Sequence, residues 1–185
     1  MSADDARRWD ARYTGQPVTE PSPPDVLAEA DLTELVAGPG RALDIACGAG
    51  AQAVWLAQRG YEVVAIDASE VAVDLTRSAA RGADVVELVD SFALDLDTGL
   101  PDHLGDFDVI ICQRFRSIDL YDPIATHLRP AGIAVVTVLS ETGASSPGPF
   151  HAPSGELLAA FVRRDTELLH HAEVDGQESI VVRRR

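Results

Sequence analysis

The stretch Ala42-Leu43-Asp44-Ile45-Ala46-Cys47-Gly48-Ala49-Gly50, followed downstream by Ala65-Ile66-Asp67, decides the fold. An apolar run enters a glycine-rich turn, a helical pattern occupies residues 51–59, and a second apolar run over 62–66 stops at a carboxylate. The order is strand, turn, helix, strand, acid. Two strands joined through a helix run parallel, because a parallel pair needs a crossover connection.

The same rhythm continues on the C-terminal side. Apolar runs at 42–46, 62–66, 85–89, 107–112 and 133–139 read as strands, and residues 51–59, 70–80 and 119–128 carry apolar positions at helical spacing. Upstream, residues 25–36 read as a helix entering the first strand. The tail changes character: 167–172 and 179–184 flank Asp175-Gly176, a turn dipeptide, and predict an antiparallel hairpin. Residues 14–24 and 141–155 are rich in Pro, Gly and Ser and read as loops. The expected fold is α/β, a single doubly wound Rossmann-like domain. Its sheet is seven-stranded and mostly parallel, with the hairpin at its end. Residues 25–185 form that domain, and 1–24 form an N-terminal segment over its ligand edge.

Composition narrows the function. A chain of 185 residues with 46% hydrophobic residues buries one sizeable core. Thirty acidic against 15 basic residues give a formal charge of -15, which repels polyanions, so nucleic acid is excluded as a partner. Every basic residue is Arg, and without Lys neither Schiff-base chemistry nor a phosphate-binding P-loop is available. Two cysteines make no disulfide framework, no Cys/His cluster has zinc spacing, and no metal is expected. No long apolar run and no signal-like N-terminus occur, so the expected location is the cytoplasm, without membrane attachment.

The central motif carries the chemistry. Glycines let the backbone approach a ligand closely, a helix start offers N–H donors, and a carboxylate after the second strand suits two ribose hydroxyls. These features describe an adenosine pocket. Gly48, Gly50 and Ala53 also satisfy the dinucleotide-binding spacing, so a NAD(P)-dependent oxidoreductase is one alternative. Against it stand the short chain and Asp44, a carboxylate inside the first strand, which suits a cationic amino group and not a pyrophosphate.

The stretch Leu43-Asp44-Ile45-Ala46-Cys47-Gly48-Ala49-Gly50 resembles the first motif of class I methyltransferases, with Ala46 in place of the first glycine. Trp9-Asp10-Ala11-Arg12-Tyr13, Phe107-Asp108-Val109-Ile110-Ile111-Cys112, Leu128-Arg129-Pro130-Ala131-Gly132 and Gly155-Glu156-Leu157 extend the resemblance to small bacterial enzymes of the tellurite-resistance and thiopurine-methylating type. Ala51 and Gln52 stand where that type often has a basic or polar pair. The resemblance implies S-adenosyl-L-methionine as cofactor and S-adenosyl-L-homocysteine as product. It implies that Asp44, Ala46, Cys47, Gly48 and Gly50 hold the methionine part, that Asp67 holds the ribose, and that Ala68 borders the adenine. Asp95 with Leu96 is preferred over Asp90 as the adenine contact. Cys112 and Gln113 end the fourth strand beside the cofactor, and Trp9 and Tyr13, one helical turn apart, cover it or simply pack an N-terminal helix on the domain.

The acceptor side is less defined. Arg114 either orients an anionic acceptor or pairs with neighbouring carboxylates, and His151 is a candidate base or a solvated loop histidine. Cys47 and Cys112 end adjacent strands, a placement that admits a redox pair, and read first as small buried thiols. The reading is methyl transfer to a small-molecule acceptor with no obligatory base, by a monomer or homodimer. A non-catalytic S-adenosylmethionine-binding protein is a further alternative.

Overall fold

The structure is a computed structural model that describes residues 3–163 and 165–185. Its element order begins with helix α1 (Ala3–Tyr13) and helix α2 (Asp25–Glu29), then strand β1 (Gly40–Ile45), α3 (Ala51–Ala57), β2 (Tyr61–Asp67), α4 (Glu70–Gly82) and β3 (Val89–Ala93). It continues with β4 (Phe107–Gln113), α5 (Ile118–Thr126), β5 (Leu128–Leu139), α6 (Glu156–Phe161), β6 (Thr166–Val174) and β7 (Gln177–Arg184).

The seven strands form one sheet in the order β3-β2-β1-β4-β5-β7-β6. β1 pairs in parallel with β2 and β4, and β5 with β4, whereas β7 runs antiparallel to both β5 and β6. β1 is central and covered on both faces, which explains why Ala42, Leu43, Asp44 and Ile45 are all buried and why its sequence does not alternate. One face packs α2, α3 and α4 against Ala42, Val63, Val109 and Val135. The other packs α5 and α6 against Leu43, Ile45, Ile110 and Val136. Both crossovers that flank β1 leave their connecting loops at the carboxyl edge of the parallel strands, where α/β sheets bind ligands.

Local chemistry accounts for the elements. Ser69 caps α4 by accepting the Ala72 amide, and Ala72, Val73, Thr76, Ala79 and Ala80 form its buried stripe. Asp175 and Gly176 both take positive φ between directly paired Val174 and Gln177, a turn whose twist matches that of the strands it joins.

Several expectations are corrected. The run at 85–89 does not form the third strand: residues Val86–Leu88 make a 3-10 turn that tucks Leu88 against the core, and β3 begins at Val89. The predicted helix at 25–36 breaks after Glu29, since Asp31 adopts φ 55, and resumes only as a 3-10 turn at Thr33–Leu35. The helix predicted to reach residue 128 stops at Thr126, and Leu128 opens β5 opposite Phe107. The ladder then shifts before Val109 meets Ile133, with Ala131 at φ 65 in the extra residues. Helix α6 falls between the stretches read as loop and hairpin, where the sequence reading placed no element.

Candidate cofactor site

Asp44 is the penultimate residue of β1 and only 2% exposed, and its Oδ2 has no hydrogen-bond partner among the described residues. An ionised carboxylate there is costly. Burial, and then the nearby Asp67 carboxylate, push its pKa up to about 8, against a smaller opposing effect of the Ala53 amide.

The turn that follows holds its shape at some strain. Ala46 adopts φ 55, the left-handed conformation that a glycine takes freely, so the substitution keeps the turn and accepts the steric cost of a β-carbon. The Cys47 amide donates to the Ile66 carbonyl at 3.0 Å, and the Gly50 amide to the Cys47 carbonyl at 3.0 Å. Gly50, at φ 85, opens α3, and a β-carbon on it would lie 2.9 Å from the Cα of Thr76 on α4. Gly48, at φ 55, is confined by a side chain instead of backbone: a β-carbon there would lie 2.9 Å from Tyr13 Oη.

Asp67 ends β2 and is buried. Its Oδ2 accepts the Gly48 amide at 2.9 Å and its Oδ1 the Ser69 amide at 2.9 Å. It therefore ties the first loop to the second. Burial raises its pKa, and these amides oppose the rise. Ala68 lies between β2 and the Ser69 cap, half-buried.

Helix α1 packs onto this edge. Asp10 Oδ1 accepts the Ser69 hydroxyl at 2.6 Å and the Val71 amide at 3.4 Å. Trp9 and Tyr13 stack with centroids 6.2 Å apart, and Tyr13 carries its hydroxyl to Gly48. Burial first, then Asp67 and Cys47, push the Tyr13 pKa up to about 12, so it stays a neutral donor at physiological pH.

The remaining candidates separate. Asp95 lies two residues beyond β3, exposed, capping the 3-10 turn Leu96–Thr98, and Leu96 is buried. Asp90 lies within β3 and points to solvent, a consequence of the shifted strand. Cys112 is buried near the end of β4, and the Gln113 amide is spent on the carbonyls of Cys112 and Val135. The two thiols are not neighbours across one face. Cys47, in the turn after β1, packs with the α3 side of the sheet, and Cys112, on β4, with the α5 side. Arg114, at φ 56, ion-pairs with Asp25 at 3.1 Å in the open, and Arg116 makes a two-point pair with Glu156 at 2.8 and 2.6 Å. His151 Nδ1 accepts the Gly148 amide at 2.9 Å, which leaves the proton on Nε2. It borders an open cavity of about 310 Å³ between residues 143–146 and 175–177, apart from the Asp44–Asp67 pair.

Sequence reasoning missed Asp10, Ser69 and Thr76. Thr76 was legible as a polar residue on the inward stripe of its helix, where it donates to the Gly48 carbonyl at 3.0 Å. Asp10 had no signal beyond its place in the Trp9–Tyr13 motif.

Comparisons with known proteins bear on the domain and the fold. Residues 42–132, from β1 into β5, match the family model for a methyltransferase domain. No curated protein sequence matches significantly. Among solved structures, TehB from Haemophilus influenzae superposes with a TM-score of 0.73 at 16% identity, covering 96% of this chain and 67% of that one. The CcbJ methyltransferase from Streptomyces caelestis gives 0.70 at 18% identity over 95% of each chain. A [4+2]-cyclase, SpnF, gives 0.69 at 18%, covering 97% of this chain and 94% of its own. The likeness to these three is one of fold. With this match, residues 42–132 form an S-adenosylmethionine-dependent methyltransferase domain. The nicotinamide alternative falls with that assignment. Among the described residues no helix is long and apolar enough to cross a membrane.

Proposed function

We propose that the chain transfers the methyl group of S-adenosyl-L-methionine to a small-molecule acceptor, at the carboxyl edge between α1 and the loops that follow β4 and β5. The observation that carries the cofactor assignment is the buried, unpartnered Oδ2 of Asp44 beside the glycine turn. A ligand with an ammonium group supplies the partner that the protein withholds. In this reading Asp44 takes the amino group, the 46–50 backbone borders the methionine part, Asp67 takes the ribose, and Ala68, Asp95 and Leu96 frame the adenine. When bound, the cofactor supplies a methyl group already activated by its sulfonium. The protein's part is then to orient, to exclude water and to hold the acceptor in line. Trp9 and Tyr13 serve as a lid, latched through Asp10 to Ser69.

The charge of -15 supports a small acceptor over a nucleic acid. The test is Asp67→Ala. S-adenosylhomocysteine affinity should fall roughly thirty- to thousand-fold by calorimetric titration, through loss of about 2–4 kcal/mol of hydrogen bonding. Stability should also fall, by about 1–2 kcal/mol, because the Gly48 and Ser69 amides lose their acceptor. Unchanged affinity in the folded variant refutes the site. Labelled-methyl transfer to a panel of thiols, phenols, amines and chalcogen oxyanions then identifies the acceptor, and binding without any transfer would leave a cofactor-binding protein.

A further inference from the structure

Asp44 is surrounded by groups that cannot neutralise it. Nearby lie the Asp67 carboxylate from β2, the Cys47 thiol from the turn, the Tyr13 hydroxyl from α1 and the Ala53 amide from α3, while the Cys112 thiol of β4 packs on the other face of the sheet. Among the described residues, no guanidinium or imidazole is paired with it. The two carboxylates are also unequal. Asp67 has two backbone N–H donors to steady a negative charge, whereas Asp44 leaves one oxygen bare. When two buried carboxylates sit together, the one with fewer donors holds the proton. That one is Asp44.

We infer that the cofactor site works as a cation exchanger, in which the ligand's ammonium group enters only as Asp44 gives up its proton to solvent. This rests on the assignment of Asp44 to the amino group made above. The step balances: a neutral carboxylic acid and a ligand ammonium become a carboxylate–ammonium pair and one released proton, so the charge of the pocket does not change. The pocket avoids an unpaired buried charge before binding and after it. The raised pKa of Asp44 fixes the window. Below about pH 8 the free protein holds the proton and binding must expel it, so affinity climbs as pH rises. Above that value the carboxylate is already ionised, and the climb ends.

Titration calorimetry of the full chain with S-adenosylhomocysteine, in phosphate and in Tris, counts the protons through the buffers' different ionisation heats. Near pH 7, release of about one proton per ligand is expected, and affinity should tighten about tenfold between pH 6 and pH 7. Adenosine, which lacks the amino-acid part, should bind without release. Asp44→Asn, checked for folding by circular dichroism, should abolish both the release and the pH dependence. Binding of S-adenosylhomocysteine with no proton exchange and a flat pH profile overturns the exchange and leaves the cofactor assignment standing. Equal release with adenosine, or release that persists in a folded Asp44→Asn, places the proton elsewhere and also overturns it. Failure of S-adenosylhomocysteine to bind at any pH overturns the cofactor assignment and the exchange together. The wild-type and adenosine arms decide the matter even if Asp44→Asn does not fold.

Discussion

Two buried carboxylates, Asp44 on β1 and Glu178 on β7, face opposite fates. Glu178 is fully buried, and it accepts the amides of Leu157 at 3.0 Å and Leu158 at 3.1 Å at the start of α6, with His171 Nε2 at 3.0 Å. Both of its oxygens are engaged. Asp44 is almost as buried and has an oxygen with none. The C-terminal half repeats the first pattern: Glu173 accepts the hydroxyls of Ser140 and Ser154, and Glu156 holds Arg116 and Tyr121. The half around β1 and β2 gathers a bare oxygen, a second carboxylate and a non-glycine turn residue at positive φ. A satisfied buried acid closes structure, and an unsatisfied one waits for something outside the chain.

The contrast is broken most forcefully at Glu178. Glu178→Ala should cost about 3–5 kcal/mol in urea denaturation, since it leaves two amides of α6 and the His171 ring without an acceptor. A loss under 1 kcal/mol would mean that burial alone, not satisfaction, distinguishes the halves.

Asp44→Asn should move stability the other way. Its folded pKa lies above the ordinary carboxylate value, so its favourable contribution is complete below about pH 4 and is lost as pH rises through about 8. The neutral amide should therefore add about 2 kcal/mol at pH 8 and close to nothing at pH 4, read from thermal melts at the two pH values. S-adenosylhomocysteine binding should weaken while the fold gains. A variant destabilised at pH 8 would show that Asp44 is ionised and partnered after all.

The smallest effect belongs to Ala46→Gly. Removing a β-carbon at φ 55 should stabilise the fold by about 0.5–1 kcal/mol, after the added backbone entropy of glycine is subtracted. A destabilised variant would show that the Ala46 side chain packs usefully against its half-buried surroundings.

These sites also mark how far sequence alone could be read. The central strands were legible because burial on both faces writes long apolar runs, and Asp44 stood out as a charge inside one of them. The hairpin was legible because Asp175-Gly176 satisfies a backbone demand that few dipeptides meet. β3 slipped because it is an edge strand, where Asp90 costs nothing and the apolar residues before it suit a 3-10 turn equally well. The partners of Glu178 were invisible, since they come from residues 157, 158 and 171, and only three-dimensional closure brings those together. The same holds for Asp10, whose acceptor role depends on where α1 docks.

The place of β7 between β5 and β6 has a consequence in time. Ile133 pairs with Arg183 and Leu139 with Gln177, so the strand that joins β6 to the sheet is made after β6 itself. As the chain leaves the ribosome, β6 has no neighbour to lie against, and α6 lacks the carboxylate that anchors its first turn until Glu178 emerges. Assembly of this half thus waits on the synthesis of β7, and pairings between such distant residues form slowly. A nascent chain arrested before residue 177 should expose β6 and α6 to proteases, while the β1–β2 half is already protected.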